Sequence, residues 1–260
     1  MSETFDTRLR AQRRDRAART GLELFLLERA FSDCLERVEL GGGKFERALL
    51  LGCPDPGWRV RLEPLAGAVE VRDPGPLFAR AAGGEAVVED DWLPGPQSYD
   101  LVLAMGTLDT VNGLPLALRL LFESLAPNGL LLGAMSGGDT LPVLRAAMQA
   151  ADEASGAGAA AHAHPRIEAA AVAPLLEQAG FVRPVIDVDR VPVAYSSFAR
   201  LVADLRGMAA TNLLVRRSAK PVLKTGLAAA KACFGERAQG GRTTETFEIL
   251  HFAAWRPAQG

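Results

Sequence analysis

Short apolar runs that scarcely alternate with polar residues constrain this chain more than any other feature. They are ALLLG at Ala48 to Gly52, AVEVRD at Ala68 to Asp73, YDLVLAM at Tyr99 to Met105 and LLLGAM at Leu130 to Met135. A strand covered on both faces has no solvent side to supply the polar half of an alternation, so such runs read as central strands of a parallel sheet. GEAVVED adds a third short strand in chain order, near Ala86 to Val88. The segments between them are helical in period: Leu22 to Val38, a short turn-limited stretch from Trp58 to Leu65 that Pro64 interrupts, and LPLALRLLFESLA, which PNG stops. Alternating strand and helix makes a right-handed, doubly wound sheet the economical solution.

Past Met135 the rhythm changes. Two helical stretches flank the small-residue tract SGAGAAAHAHP, expected to be a mobile loop. A strand follows from about Val182 to Val188, then helix with small breaks to about Lys231, and a long closing strand at Thr243 to Trp255. The last two strands are expected to complete the sheet as a late hairpin. The chain thus divides into an N-terminal helical region at 1–45, a cofactor-binding core at 46–136, a helical segment with a loop at 137–181, and late strands at 182–260 with a helical insertion at 196–235.

The chain's 260 residues suit one sizeable unit, and a formal charge of −2 gives no general handle for nucleic acid. Cys34, Cys53 and Cys233 lie far apart without a CxxC pair, which indicates neither a disulfide framework nor a zinc site and fits a reducing, cytoplasmic setting. No apolar run reaches the roughly 18 to 20 residues that span a bilayer, and no secretory segment follows Met1, so a soluble protein without a transmembrane segment is expected. The arginine-rich stretch Thr7 to Thr20 reads as a solvated basic helix, or else as a docking surface for an acidic partner or the inner face of an anionic membrane.

In an open α/β sheet, ligands collect beyond the carboxyl ends of the strands. Those ends carry Gly52, Cys53, Pro54 and Gly57 after the first strand, Asp73 after the second, Glu89, Asp90 and Asp91 after the third, and Met105 at the fourth. A glycine turn lets a ligand approach backbone, a carboxylate after the second strand can accept two ribose hydroxyls, and one after the third can accept an amino proton from adenine. Each has a plainer reading: Asp73 before Pro-Gly is a turn former, Asp90 and Asp91 are solvated acids, and Met105 is core. Pro54 and Pro56 stiffen the first loop and remove two backbone donors from it.

The order of elements and these strand ends resemble the class I S-adenosylmethionine-dependent methyltransferases, a Rossmann-like, mostly parallel twisted sheet with helices on both faces, a late antiparallel strand and here a helical cap. By that resemblance the cofactor is S-adenosylmethionine, with Gly52, Asp73 and Asp90 at its usual positions and Pro54 where the family keeps a second glycine. FDTRLRAQRRDRAA, GAMSGGDTLPVLR, DLRGMAATN and TFEILHFAAW are similar, more narrowly, to the methyltransferase-like assembly factors of respiratory complex I, whose mitochondrial member hydroxylates an arginine of a complex I subunit. A more distant likeness is to the biotin-pathway methyltransferases that act on a malonyl group held on carrier protein. The resemblance implies a protein side chain or carrier-bound acid as substrate, with a respiratory complex subunit as partner. Arginine hydroxylation and a non-catalytic assembly role on the same fold are the alternatives.

No catalytic residue is legible. Gly138, Asp139, Tyr195 and Arg206 are substrate-side candidates by location, Asp139 reading first as the N-cap of the helix it precedes. His162, His164 and His251 form no facial triad by spacing, so no metal is expected, and the first two read as exposed loop residues.

Overall fold

The computed structural model describes residues 3–258, apart from 157, 159, 219 and 220. In chain order the elements are α1 (Thr7–Thr20), α2 (Phe25–Leu40), β1 (Phe45–Leu51), α3 (Pro56–Leu62), β2 (Ala66–Asp73), α4 (Pro76–Ala81) and β3 (Glu85–Ala86). Then come β4 (Tyr99–Met105), a single tight turn at Leu108–Thr110, α5 (Leu114–Ser124), β5 (Leu125–Ser136), α6 (Pro142–Ser155), α7 (Ala169–Ala179), β6 (Val182–Tyr195), α8 (Phe198–Gly207), α9 (Lys224–Gly235) and β7 (Thr243–Trp255).

The strands form one sheet in the order β3-β2-β1-β4-β5-β7-β6, parallel from β3 to β5, with β7 antiparallel to both its neighbours. The order reverses between β1 and β4. Leu51 pairs with both Arg72 and Ala104, so the carboxyl ends of β1, β2 and β4 are level and deliver Gly52, Asp73 and Met105 to one edge. The doubly buried strands explain the unbroken apolar runs, since Leu49, Leu50, Leu51, Leu101, Val102 and Leu103 are all fully buried.

Two cores flank the sheet. One gathers α2, α3, α6, α8 and α9, and the other gathers α5 and α7. In the first, the Trp58 ring stacks on Phe31 with centroids 4.5 Å apart, and its indole N–H donates to Glu28 at 2.6 Å. Trp58→Ala is expected to destabilise by about 3–5 kcal/mol, read as a lowered urea midpoint, with Trp58→Phe costing less because it keeps the stack.

Several boundaries differ from the sequence reading. β3 is only two residues long and does not reach Val88, because Val87 turns into the core and Glu89 toward α1. β6 continues to Tyr195, paired to β7 without a break from Val185 onward. The insertion is not one broken helix: α8 ends at Gly207, and α9 begins only at Lys224. The expected loop includes 157 and 159, which lie outside the described residues, and its far end packs inward. His164 is buried edge-on against Phe5 at 5.4 Å.

Candidate functional site

Gly52 ends β1 at φ +85°, where an L side chain would be strained, and a Cβ there would run into the Met105 carbonyl and the Thr107 methyl. Its backbone is therefore pressed against the β4 turn. Asp55 N-caps α3, its side chain accepting from the Gly57 N–H at 2.8 Å, and Pro56 occupies the first turn, where no helical donor is lost. Pro56 is thus a helix start. Cys53 and Pro54 are buried in the loop, and burial, with Asp73 nearby, pushes the Cys53 thiol up to about 12.

Asp73 has no solvent exposure. Its Oδ1 accepts from Gly75 N at 2.6 Å and Arg14 Nε at 2.7 Å, and its Oδ2 accepts from Cys53 N at 2.8 Å and Arg14 NH2 at 2.5 Å. A carboxylate offers about four acceptor positions, and all four are filled. The turn-forming role and the pocket position coexist, since the Gly75 bond is an Asx turn. Burial works against the Arg14 charge, but attraction to Asp73 outweighs it and raises the guanidinium pKa.

That arginine belongs to the basic N-terminal helix, which corrects the expectation of a solvated face. α1 buries Arg10, Arg14 and Ala17, one stripe at helical spacing, and leaves Arg8, Arg16 and Arg19 in solvent. Arg10 makes a two-pronged bond to Glu89, both contacts 2.7 Å, and donates to the Thr107 carbonyl at 2.6 Å. After β3, then, Glu89 is the acid that faces this edge. Asp90 instead accepts from Gly113 N at the start of α5, and Asp91 is exposed. Asp15 and Asn112 fasten the helix further, through Leu77 N and through the Thr4 and Phe5 backbones.

Beside these pairs lies a cavity of about 120 Å³ at the carboxyl ends of β4 and β5, walled by α1, α2 and the α8 end, with Asp109, His164, Arg166 and Glu248 among its polar groups. Asp109 meets Arg166 at 3.1 Å. Burial pushes the Asp109 carboxyl up and the Arg166 guanidinium down, each toward its neutral form. None of Arg10, Arg14, Asp109 and Arg166 stood out in the sequence, and Glu89 did so only as a neighbour of Asp90 and Asp91. The arginines at i and i+4 of α1 were a signal, but identical spacing serves a surface helix.

His164, expected to be exposed, accepts from Leu213 N through Nε2 at 2.8 Å, and burial, then the Arg166 and Arg13 charges, hold its pKa down at about 4. The folded protein therefore binds this proton later than the unfolded chain does. His164 contributes stability that is complete above the unfolded value near 6.5 and is lost as pH falls through about 4, at most about 3 kcal/mol. Urea midpoints taken between pH 7.5 and pH 4 should fall with acid, about that much of the slope disappearing in His164→Phe; an unchanged slope in that variant would assign the effect elsewhere.

The remaining candidates scatter. Asp139 does not cap α6: it is exposed and bonds Arg190 at 3.2 Å, while the Val143 and Leu144 N–H groups of α6 donate to Glu245 of β7 at 3.2 and 2.7 Å. The cap is supplied across the fold, which no local pattern could reveal. Gly138 lies against the Glu168 carboxylate, Tyr195 and Met105 are buried in the core, and Arg206 is exposed. None of these lines the cavity, although Gly106, Thr140 and Met135 do.

S-adenosylmethionine, which this fold implies, fits the residues in kind. Gly52 offers close backbone approach, and Asp73 offers a buried carboxylate for ribose hydroxyls. It fits only with Arg14 withdrawn, because every Asp73 acceptor position is otherwise taken.

The strand order and this edge define a protein of the class I S-adenosylmethionine-dependent methyltransferase fold. A solved structure of the YcgJ protein from Bacillus subtilis superposes with a TM-score of 0.61 at 10% identity, over 88% of this chain and 100% of that one. The N-methyltransferase NodS from Bradyrhizobium japonicum, solved with S-adenosylhomocysteine, gives a TM-score of 0.51 at 15% identity over 95% and 98%. No protein-family model matches the sequence. In sequence the chain is similar to arginine-hydroxylase NDUFAF5 of Danio rerio, 35% identical over 66% of this chain and 54% of that protein's length. The malonyl-[acyl-carrier protein] O-methyltransferase of Laribacter hongkongensis is 29% identical over 70% of this chain and 59% of its own. The chain spans about half the length of the curated relatives it matches.

Proposed function

We propose that this protein binds S-adenosylmethionine at the β1, β2 and β4 ends and modifies a protein side chain or carrier-bound acid, in the manner of complex I assembly factors, with a respiratory complex subunit as its partner. The observation that carries this reading is the fully buried Asp73 beside the Gly52 turn, adjoining a cavity of about 120 Å³ with room for a small substrate group. The bound cofactor would supply an electrophilic methyl group. The chain's part is to orient and exclude water, with Leu26, Leu27 and Leu141 in the walls, and to offer the Asp109 carboxylate as a proton acceptor whose hold on a proton burial strengthens. Arginine hydroxylation is kept as an alternative by the relation to the arginine-hydroxylase proteins.

A second reading has its own observation. Arg14 and Arg10 saturate Asp73 and Glu89, as they would in an assembly protein that keeps the fold but takes up no cofactor. Among the described residues no helix is long and apolar enough to cross a membrane, and the exposed Arg8, Arg16 and Arg19 suit a peripheral position at its inner face, on the cytoplasmic side. Calorimetry with S-adenosylhomocysteine separates the readings: saturable heat supports the enzyme, and none at millimolar ligand supports the scaffold. Mass spectrometry of a co-expressed partner subunit then looks for added CH2 or added oxygen.

A further inference from the structure

Away from that cavity, α2 and β7 bring together three side chains of different ligating chemistry. Asp33 and Cys34 are consecutive on α2, and His251 stands on β7 between Ala134 of β5 and Asp187 of β6. One ligand atom from each lies within 4.8 Å of the other two. Cys34 is 1% exposed and His251 4%, so neither is a surface group. His251 Nδ1 lies 3.0 Å from Asp33 Oδ2, but not in hydrogen-bonding geometry, so this buried polar atom is left without a hydrogen bond. Such an atom is costly to leave unmatched inside a fold. A cation is the ligand that a nitrogen lone pair, a sulfur and a carboxylate oxygen can all share.

We propose that Asp33, Cys34 and His251 form a binding site for one divalent ion of the zinc and cobalt(II) class, with solvent in the fourth position. The mixed nitrogen, sulfur and oxygen set disfavours magnesium and calcium, which take oxygen ligands. One cation competes: Arg37 Nε donates to the same Asp33 Oδ2 at 2.7 Å, but its NH1 also donates to Asp187 at 2.7 Å, so it has a second carboxylate to hold when it yields the first. On binding, the Cys34 S–H bond breaks heterolytically, the sulfur pair goes to the metal and the proton to solvent, with no change of oxidation state. Uptake therefore releases a proton and strengthens with pH. Within the two turns before Asp33, α2 lends Ala30, Leu27 and Leu26 to the cavity wall. The ion would pin that wall to the sheet, and this role is independent of the cofactor reading.

The test uses the full chain, stripped with a chelator and titrated with cobalt(II). The expected result is a thiolate-to-cobalt charge-transfer band that saturates at a single equivalent and is reversed by zinc, with a rise in the thermal midpoint. Cys34→Ser and His251→Gln lose the band while far-ultraviolet circular dichroism is unchanged, and Arg37→Gln binds cobalt more tightly. Should His251→Gln fail to fold, Cys34→Ser alone decides, being nearly isosteric. No band in the wild-type chain overturns the site, as does a band that survives in Cys34→Ser, which would assign the thiolate to Cys53 or Cys233.

Discussion

Arg14→Ala is expected to bind S-adenosylhomocysteine about tenfold more tightly than the wild-type chain while losing about 3 kcal/mol of folding stability. Both effects come from one geometry. The Arg14 guanidinium takes two of the four acceptor positions of Asp73, and backbone N–H groups of Cys53 and Gly75 take the others. Ribose hydroxyls can reach Asp73 only by displacing a donor, and the arginine is the one that can swing away. A ligand that must first break a buried, two-pronged pair has its affinity reduced by the population in which the pair is open. Removing the side chain lifts that requirement, but it leaves a buried carboxylate accepting two hydrogen bonds instead of four. Calorimetry gives the affinity and urea unfolding the stability. Weaker ligand binding in the variant would make Arg14 a cofactor ligand and would overturn the view that it must be displaced.

Asp73→Ala should be the opposite in its ligand effect and larger in its stability effect. It is expected to abolish S-adenosylhomocysteine binding and to lower stability by about 4 kcal/mol, roughly 10 °C in Tm. The substitution strands Arg14, which is nearly as buried as its partner, and leaves the Cys53 and Gly75 N–H groups without their acceptor. The double variant Arg14→Ala, Asp73→Ala should lose less than the sum of the two single losses, since the pair is in direct contact. Additive losses would mean that Asp73 is held by its backbone donors alone. The pair also distinguishes damage from mechanism: two destabilised variants with opposite ligand responses cannot both be explained by loosened folding.

The continuous apolar runs were enough to foresee the parallel strands, because a strand buried on both faces leaves that trace in any sequence. Asp73 was legible for a similar reason: its place at the end of β2 follows from strand length alone. Asp90 and Glu89 show the limit. Neighbours on a chain leaving a strand point to opposite sides, and which one turns inward depends on where Arg10 arrives from 79 positions away. His164 sits in an alanine-rich tract that reads as exposed, yet Phe5 and Leu213 enclose it from distant parts of the chain. Glu245 caps α6 across a separation of about a hundred residues.

The order of strands and helices, the glycine turn after β1 and the acid after β2 were determined by the sequence itself, since local periodicity and the demands of a doubly buried strand act within a few residues of each other. GCPDPG gains one resolved meaning from that local physics, because Asp-Pro is a helix start. Only the tertiary structure decided that the arginines of α1 face inward and hold the acids at the carboxyl ends of the strands. A basic helix looks the same from its own residues whether water or a buried carboxylate faces it. The partner that settles its orientation lies 59 positions further along the chain for Arg14, and only folding brings the two within hydrogen-bonding reach.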